Sequence, residues 1–183
     1  MRDLVAGAGG VISNAVDMTK WLKALLNKGV NKDTNTTVIP SSVLDAVTTA
    51  QVSREGRPSG PHSSISGYGM GWHRESYKGH DFVWHSGGIP GFSTLVEFLP
   101  ADDLGIVVLA NADAKFQATL QLLTRIIDEA LGLDTTTWEI ATRHPEHQSL
   151  RHIVHHTLQD RPWQSRNEYF SRMSSSLEQV LDL

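Results

Sequence analysis

The stretch of this 183-residue sequence with the most chemical promise is His85-Ser86-Gly87-Gly88, which closes the apolar run Phe82-Val83-Trp84 and precedes Ile89-Pro90-Gly91. A strand ending in a small hydroxyl residue and two glycines has an edge that another molecule can approach closely, because no Cβ stands in the way. Ser86 reads as a hydrogen-bonding group rather than a nucleophile, since no base neighbours it. His80 and His85, five apart across a strand, do not have the spacing of a dyad. Asp102 and Asp103 pair two carboxylates, but inside Pro100-Ala101-Asp102-Asp103, where aspartate is expected for turn reasons. His144, His147, His152, His155 and His156 include i,i+3 and i,i+4 pairs that suit metal ligation from one helix face. No HExxH pattern accompanies them and the segment is polar, so a solvated helix is the expected reading. No metal and no cofactor are expected.

Composition narrows the classes. With 39% hydrophobic and 20% charged residues, the sequence suits a water-exposed globular domain of one core. A net charge of −4 gives no basis for binding nucleic acid or an anionic membrane surface. The absence of cysteine removes disulfides, thiol nucleophiles and zinc thiolates. No stretch approaches a membrane span. The opening Met-Arg-Asp-Leu-Val-Ala-Gly-Ala-Gly-Gly lacks the apolar core of a signal peptide, which favours a cytoplasmic location.

The elements that must position residues 85–88 follow from periodicity. Ser13 is expected to cap a helix carrying Val16, Trp21, Leu22, Leu25 and Leu26, stopped by Gly29. Residues 30–39 read as a polar loop, and Pro40 opens a second helix with Val43, Leu44 and Val47 on one face. Residues 53–67 read as a loop. Tyr68-Gly69-Met70-Gly71-Trp72 alternates large residues with glycine, which suits a strand closely covered on one face. Residues 77–81 form a turn, followed by strands at 82–86 and 92–98. The continuous apolar run 105–110 predicts a strand buried on both faces. Asp113 is expected to cap a long helix with Phe116, Leu120, Leu123, Ile127 and Ala130 in a stripe, ended by Gly132. The result is an α+β fold, an antiparallel meander covered by a long C-terminal helix, over residues 1–133. Residues 134–183 read as a helical or partly disordered appendage, with helices expected near Gln148–Leu158 and Pro162–Leu181.

Four segments in order carry a resemblance. They are Ala8-Gly9-Gly10-Val11-Ile12-Ser13 before a Trp-containing helix; Gly67-Tyr68-Gly69-Met70-Gly71-Trp72; His85-Ser86-Gly87-Gly88-Ile89-Pro90-Gly91-Phe92; and Leu99-Pro100 followed by Gly105 to Asn111. Over residues 5–132 the sequence resembles the C-terminal half of the serine β-lactamase-like family, which includes class C β-lactamases, D-alanyl-D-alanine peptidases, esterases and transesterases. The resemblance implies a partial β-lactamase-like fold in which His85-Ser86-Gly87 replaces the family's Lys-Thr-Gly triad on an edge strand. It also implies that the substrate lies beside that strand and that the backbone N–H of Gly88 donates to the developing oxyanion. A donor of that kind lowers the barrier by about 3 kcal/mol.

The family's nucleophile pair is not found in the sequence. Three residues before Lys20, Lys23, Lys28, Lys32, Lys78 and Lys115 stand Asp17, Lys20, Leu25, Gly29, Glu75 and Ala112, none of them serine. The spacing matters because one helical turn sets the amine beside the hydroxyl it activates. In the family that helix, and a second Tyr- or Ser-bearing loop, lie upstream of the Gly-Gly segment. Histidine in place of lysine matters too. An ordinary imidazole, with a pKa of about 6.5, is mostly neutral at physiological pH and offers one hydrogen bond rather than a permanent cation. The expected substrate is therefore a small-molecule ester or amide without a recognised carboxylate. Two readings follow: a hydrolase or acyltransferase inactive without a complementary N-terminal half, or a catalytically dead remnant that binds a small molecule or a protein. In either case a strand edge normally shared with the N-terminal half would be left bare, so oligomer formation is expected.

Overall fold

The computed structural model describes residues 6–134 and the strand 154–158. The order of elements is α1 (Ala6–Gly9), α2 (Ala15–Leu26), β1 (Val30–Asn31), β2 (Thr36–Thr37), α3 (Ser41–Thr48), β3 (Val52–Glu55), β4 (Ser66–Tyr68), β5 (His73–Tyr77), β6 (His80–Ile89), β7 (Phe92–Leu99), β8 (Leu104–Ala110), α4 (Phe116–Leu131) and β9 (Val154–Leu158). Strands β3 to β9 form one seven-stranded sheet in chain order, every neighbouring pair antiparallel. The expected α+β meander is thus the observed architecture.

The sheet is buried on both faces. On one, α4 sends Leu123, Ile126, Ile127 and Ala130 against Trp84, Leu95, Leu99, Leu104, Ile106 and Val108. On the other, Leu22 and Leu25 of α2 and Leu44 of α3 pack on Val83, Phe98 and Val107. This explains the unbroken apolar run of β8, whose alternate residues serve opposite cores. Gly105 gives α2 room to approach, since a Cβ there would lie 3.2 Å from atoms of Leu22 and Leu26. The C-terminal end of α4 is the one expected, with Gly132 in the left-handed region at φ 66°. No helix among the described residues is long and apolar enough to cross a membrane.

Several boundaries differ from the sequence expectation. Asn14, not Ser13, caps α2, its Oδ1 accepting from the N–H of Asp17 at 3.0 Å. The loop expected at 30–39 holds the short β1–β2 hairpin, and the loop expected at 53–67 begins and ends in strand, as β3 and β4. Only Tyr68 of the segment 68–72 is in a strand. Gly69–Trp72 turns the chain, with Gly71 at φ 85°. Close coverage is nonetheless the reason for Gly69, because a Cβ there would fall 2.4 Å from the carbonyl oxygen of Val47. Lys78 and Gly79, at φ 48° and 86°, make the two-residue hairpin that joins β5 to β6. The expected helix Gln148–Leu158 is a strand over Val154–Leu158, paired along β8 from Leu104 to Val108. The sheet edge expected to be bare is therefore covered by this chain. The helix expected at Pro162–Leu181 lies outside the described residues.

Candidate functional site

Strand β6 is ten residues long and β5 only five, and that mismatch creates the site. Pairing with β5 runs from Tyr77↔His80 to His73↔Trp84 and stops there. Pairing with β7 continues to Ile89↔Phe92. Residues His85 to Ile89 are therefore held by β7 on one side and open on the other among the described residues. Backbone groups that alternate away from β7 face this opening, where an extended chain or planar carbonyl can meet them. His85, Ser86, Gly87 and Gly88 are brought together here as consecutive residues of the open half.

The two glycines have different surroundings. A Cβ at Gly87 would sit 2.5 Å from Thr94 Oγ1, whereas one at Gly88 would meet nothing within 4 Å. Beside them is an open cavity of about 480 Å³, bounded by Ser86, Gly88, Ile89, Phe92, Asp113 and Phe116 among others. Its wall is tied together at the base. Asp113 Oδ1 accepts from the N–H of Gly91 at 2.6 Å, and Ser93 Oγ donates to Ala112 O at 2.8 Å while accepting from the N–H of Lys115 at 3.1 Å. This corrects the expected helix cap: α4 begins at Phe116 with no side-chain cap, and Asp113 anchors the β6–β7 turn instead.

A cluster of rings stands at the head of the open half. Tyr68 Oη lies 3.1 Å from His85 Nε2, and His85 Nδ1 lies 2.6 Å from the carbonyl oxygen of Ser86. His73 stacks on Trp84 at 4.4 Å and on His85 at 5.4 Å between ring centroids. Trp84 donates its indole N–H to Glu75 at 2.7 Å and stacks on Phe116. Arg54 Nη1 is 3.0 Å from the ring nitrogens of His73. Burial, with the charge of Arg54 beside it, depresses His73 to about 4, so this ring is neutral near pH 7. Burial raises Glu75, against the indole hydrogen bond that lowers it. Glu97, opposite Trp84 on β7 and 1% exposed, is pushed well above the carboxylate range by burial and then by Glu75. Its Oε1 has no hydrogen-bond partner among the described residues.

Other residues singled out in the sequence have separate places. His80 Nδ1 meets the Asp102 carboxylate at 2.9 Å, and Asp103 turns the β7–β8 connection at φ 52°. Trp72 packs edge-on to Phe98 in the α2-side core. His144, His147 and His152 lie outside the described residues, and the backbone of His155 and His156 runs in β9. Sequence reading did not single out Tyr68, His73, Glu75 or Arg54 as members of the site. The Tyr68-Gly69 segment stood out as a covered strand and as part of the family resemblance, not as part of the site.

A family model described as Beta-lactamase matches residues 1–131. An unguisins hydrolase of Aspergillus violaceofuscus is 33% identical over 141 residues, covering 72% of this chain and 24% of that protein. A second unguisins hydrolase, of Aspergillus campestris, is 32% identical over 132 residues, covering 70% of this chain and 23% of that protein. The chain thus spans about a quarter of the length of these curated relatives.

Proposed function

Because the chain belongs to the β-lactamase family, we propose that its open β6 edge is the substrate-receiving half of a serine hydrolase or acyltransferase site acting on an ester or amide. The observation that carries this reading is the β5–β6 mismatch, which leaves His85 to Ile89 paired on one side only. In this reading the reacting carbonyl lies beside Ser86 and Gly87, and the N–H of Gly88 donates to the oxyanion as the carbonyl carbon becomes tetrahedral. Preorganisation on a strand fixed by β7 lets that hydrogen bond form without reorganisation, a contribution of about 3 kcal/mol to the barrier. The absence of a Cβ on Gly88 lets the substrate come within reach. Ser86 supplies a hydroxyl to the bound substrate, and the cavity walled by Ile89, Phe92 and Phe116 takes an apolar substituent.

The attacking group must come from elsewhere. No lysine in the sequence follows a serine by three residues, so the activated hydroxyl has to be brought by a complementary segment carrying Ser-x-x-Lys. The two curated relatives are named as hydrolases of unguisins. An amide or ester substrate is in keeping with those names. A cavity without a nucleophile equally fits a small-molecule-binding remnant, the second reading.

Covalent labelling separates the two. The purified chain is expected to remain unlabelled by a fluorophosphonate probe. Co-expression with the Ser-x-x-Lys segment of a full-length relative is expected to give labelling of that segment's serine. Labelling of this chain alone at one of its own serines overturns the hydrolase-half assignment. Failure of the reconstituted pair to label, despite binding, favours the remnant.

A further inference from the structure

The hydrogen bonds around His85 determine what its ring can offer a ligand. The carbonyl oxygen of Ser86 only accepts, so His85 Nδ1, 2.6 Å away, carries a proton. In the neutral ring Nε2 is then a lone pair, and it accepts from the hydroxyl of Tyr68 at 3.1 Å. A phenol that has given its single proton to an imidazole keeps only lone pairs for other partners. With the ring in that tautomer, the Tyr68–His85 pair stands at the head of the open half of β6 as an acceptor rather than a donor.

Its neighbours hold it there. His73 lies edge to face with Tyr68 at 4.6 Å and stacks on His85, so both rings have one orientation. The Arg54 guanidinium is engaged on His73 and sits 6.0 Å from the Trp84 ring centroid.

We propose that Tyr68 is the specificity-determining residue of the open edge: its phenol oxygen accepts an N–H from a peptide- or amide-type substrate and repels a carboxylate placed at the same point. This rests on the reading of β6 as the substrate edge, and goes beyond it by naming the residue and the chemical group it selects. The carboxylate is disfavoured because its lone pairs would face those of the phenol, with no proton between them. The N–H ligand gains one hydrogen bond, which corresponds to roughly a three- to tenfold difference in affinity.

The test uses the full chain with 15N-labelled histidine and a long-range imidazole 15N–1H spectrum, with His85 assigned through His85→Gln. The expected pattern for His85 is a protonated Nδ1 and a bare, hydrogen-bonded Nε2; the reverse tautomer overturns the proposal without recourse to any variant of Tyr68. Titration with N-acetyl-alanine methylamide and with N-acetyl-alanine, followed on the His85 signals, is expected to give the methylamide a Kd roughly three- to tenfold lower. Tyr68→Phe keeps the ring contacts and should bring the two Kd values together. Equal or tighter binding of the carboxylate, or an unchanged preference in Tyr68→Phe, overturns the role of Tyr68 while leaving the substrate edge in place. If neither probe moves the His85 signals, both the edge reading and the proposal fall.

Discussion

An added Cβ meets nothing within 4 Å at Gly88, yet at Gly69 it falls 2.4 Å from the carbonyl oxygen of Val47 and 2.6 Å from that of Thr49. The same substitution should therefore have very different costs at these two glycines. Gly69→Ala has to displace the end of α3, and overpacking against backbone costs about 1–3 kcal/mol. Gly88→Ala should change stability by no more than about 0.5 kcal/mol. Urea unfolding of the two variants measures both, and equal midpoints would show that α3 does not rest on Gly69. Glu97 supports a second residue-level prediction. Burial raises its folded pKa, so between its ordinary value of 4.5 and that raised value the native state holds a proton that the unfolded chain has released. Stability is then fully present below pH 4.5 and declines as pH rises through this window. Glu97→Gln removes the titration. The variant should gain on the parent as pH rises above 4.5 in urea melts, and parallel stability curves would mean that Glu97 ionises freely.

At the level of elements, β9 has a definite job. It pairs β8 from Leu104 to Val108, where the strand is otherwise apolar on both faces. Removing residues 135–183 exposes the N–H and C=O groups of that edge, and such an edge recruits other strands. The shortened chain should show concentration-dependent association in analytical sizing that the full chain lacks. Identical elution of the two would mean that β9 does not protect the edge. Much of the framework around β9 was legible beforehand: α4 buries Leu123, Ile127 and Ala130 of its expected stripe and β8 its continuous apolar run, whereas Val16 and Trp21 of α2 and Val43 of α3 are exposed. Strand β5 was not. Its inward residues are His73, Glu75 and Tyr77, held by ring stacking and by hydrogen bonds to Trp84 and Asp128 rather than by apolar alternation. Asp113 misled for a related reason. Its type suits a helix cap, but the N–H it satisfies belongs to Gly91, 22 residues earlier in the chain. The motif His85-Ser86-Gly87-Gly88 announced an approachable edge. What makes it open is where β5 stops, and what dresses it is Tyr68, a partner 17 residues away.

Across the whole molecule, the seven-stranded sheet is shared by two core clusters, one on each face. Leu123 belongs to the α4 side and Leu22 to the α2 side, each 1% exposed. Trp84 reports on the first core and Trp72 on the second. Because alternate residues of β7 and β8 serve opposite sides, loosening one helix layer withdraws support from the strands that the other layer rests on. The two cores should then melt as one unit. Leu22→Ala and Leu123→Ala should each cost about 2–5 kcal/mol, the usual range for a buried leucine left as a cavity. The decisive comparison uses single-tryptophan variants retaining either Trp72 or Trp84, with each leucine substitution made in both backgrounds. Either substitution should shift both fluorescence transitions by the same amount, although each lies on the far side of the sheet from one of the probes. Were Leu22→Ala to move the Trp72 transition alone, the α2 layer would be a separately melting unit, and the open half of β6 could lose its backing without loss of the α4 core.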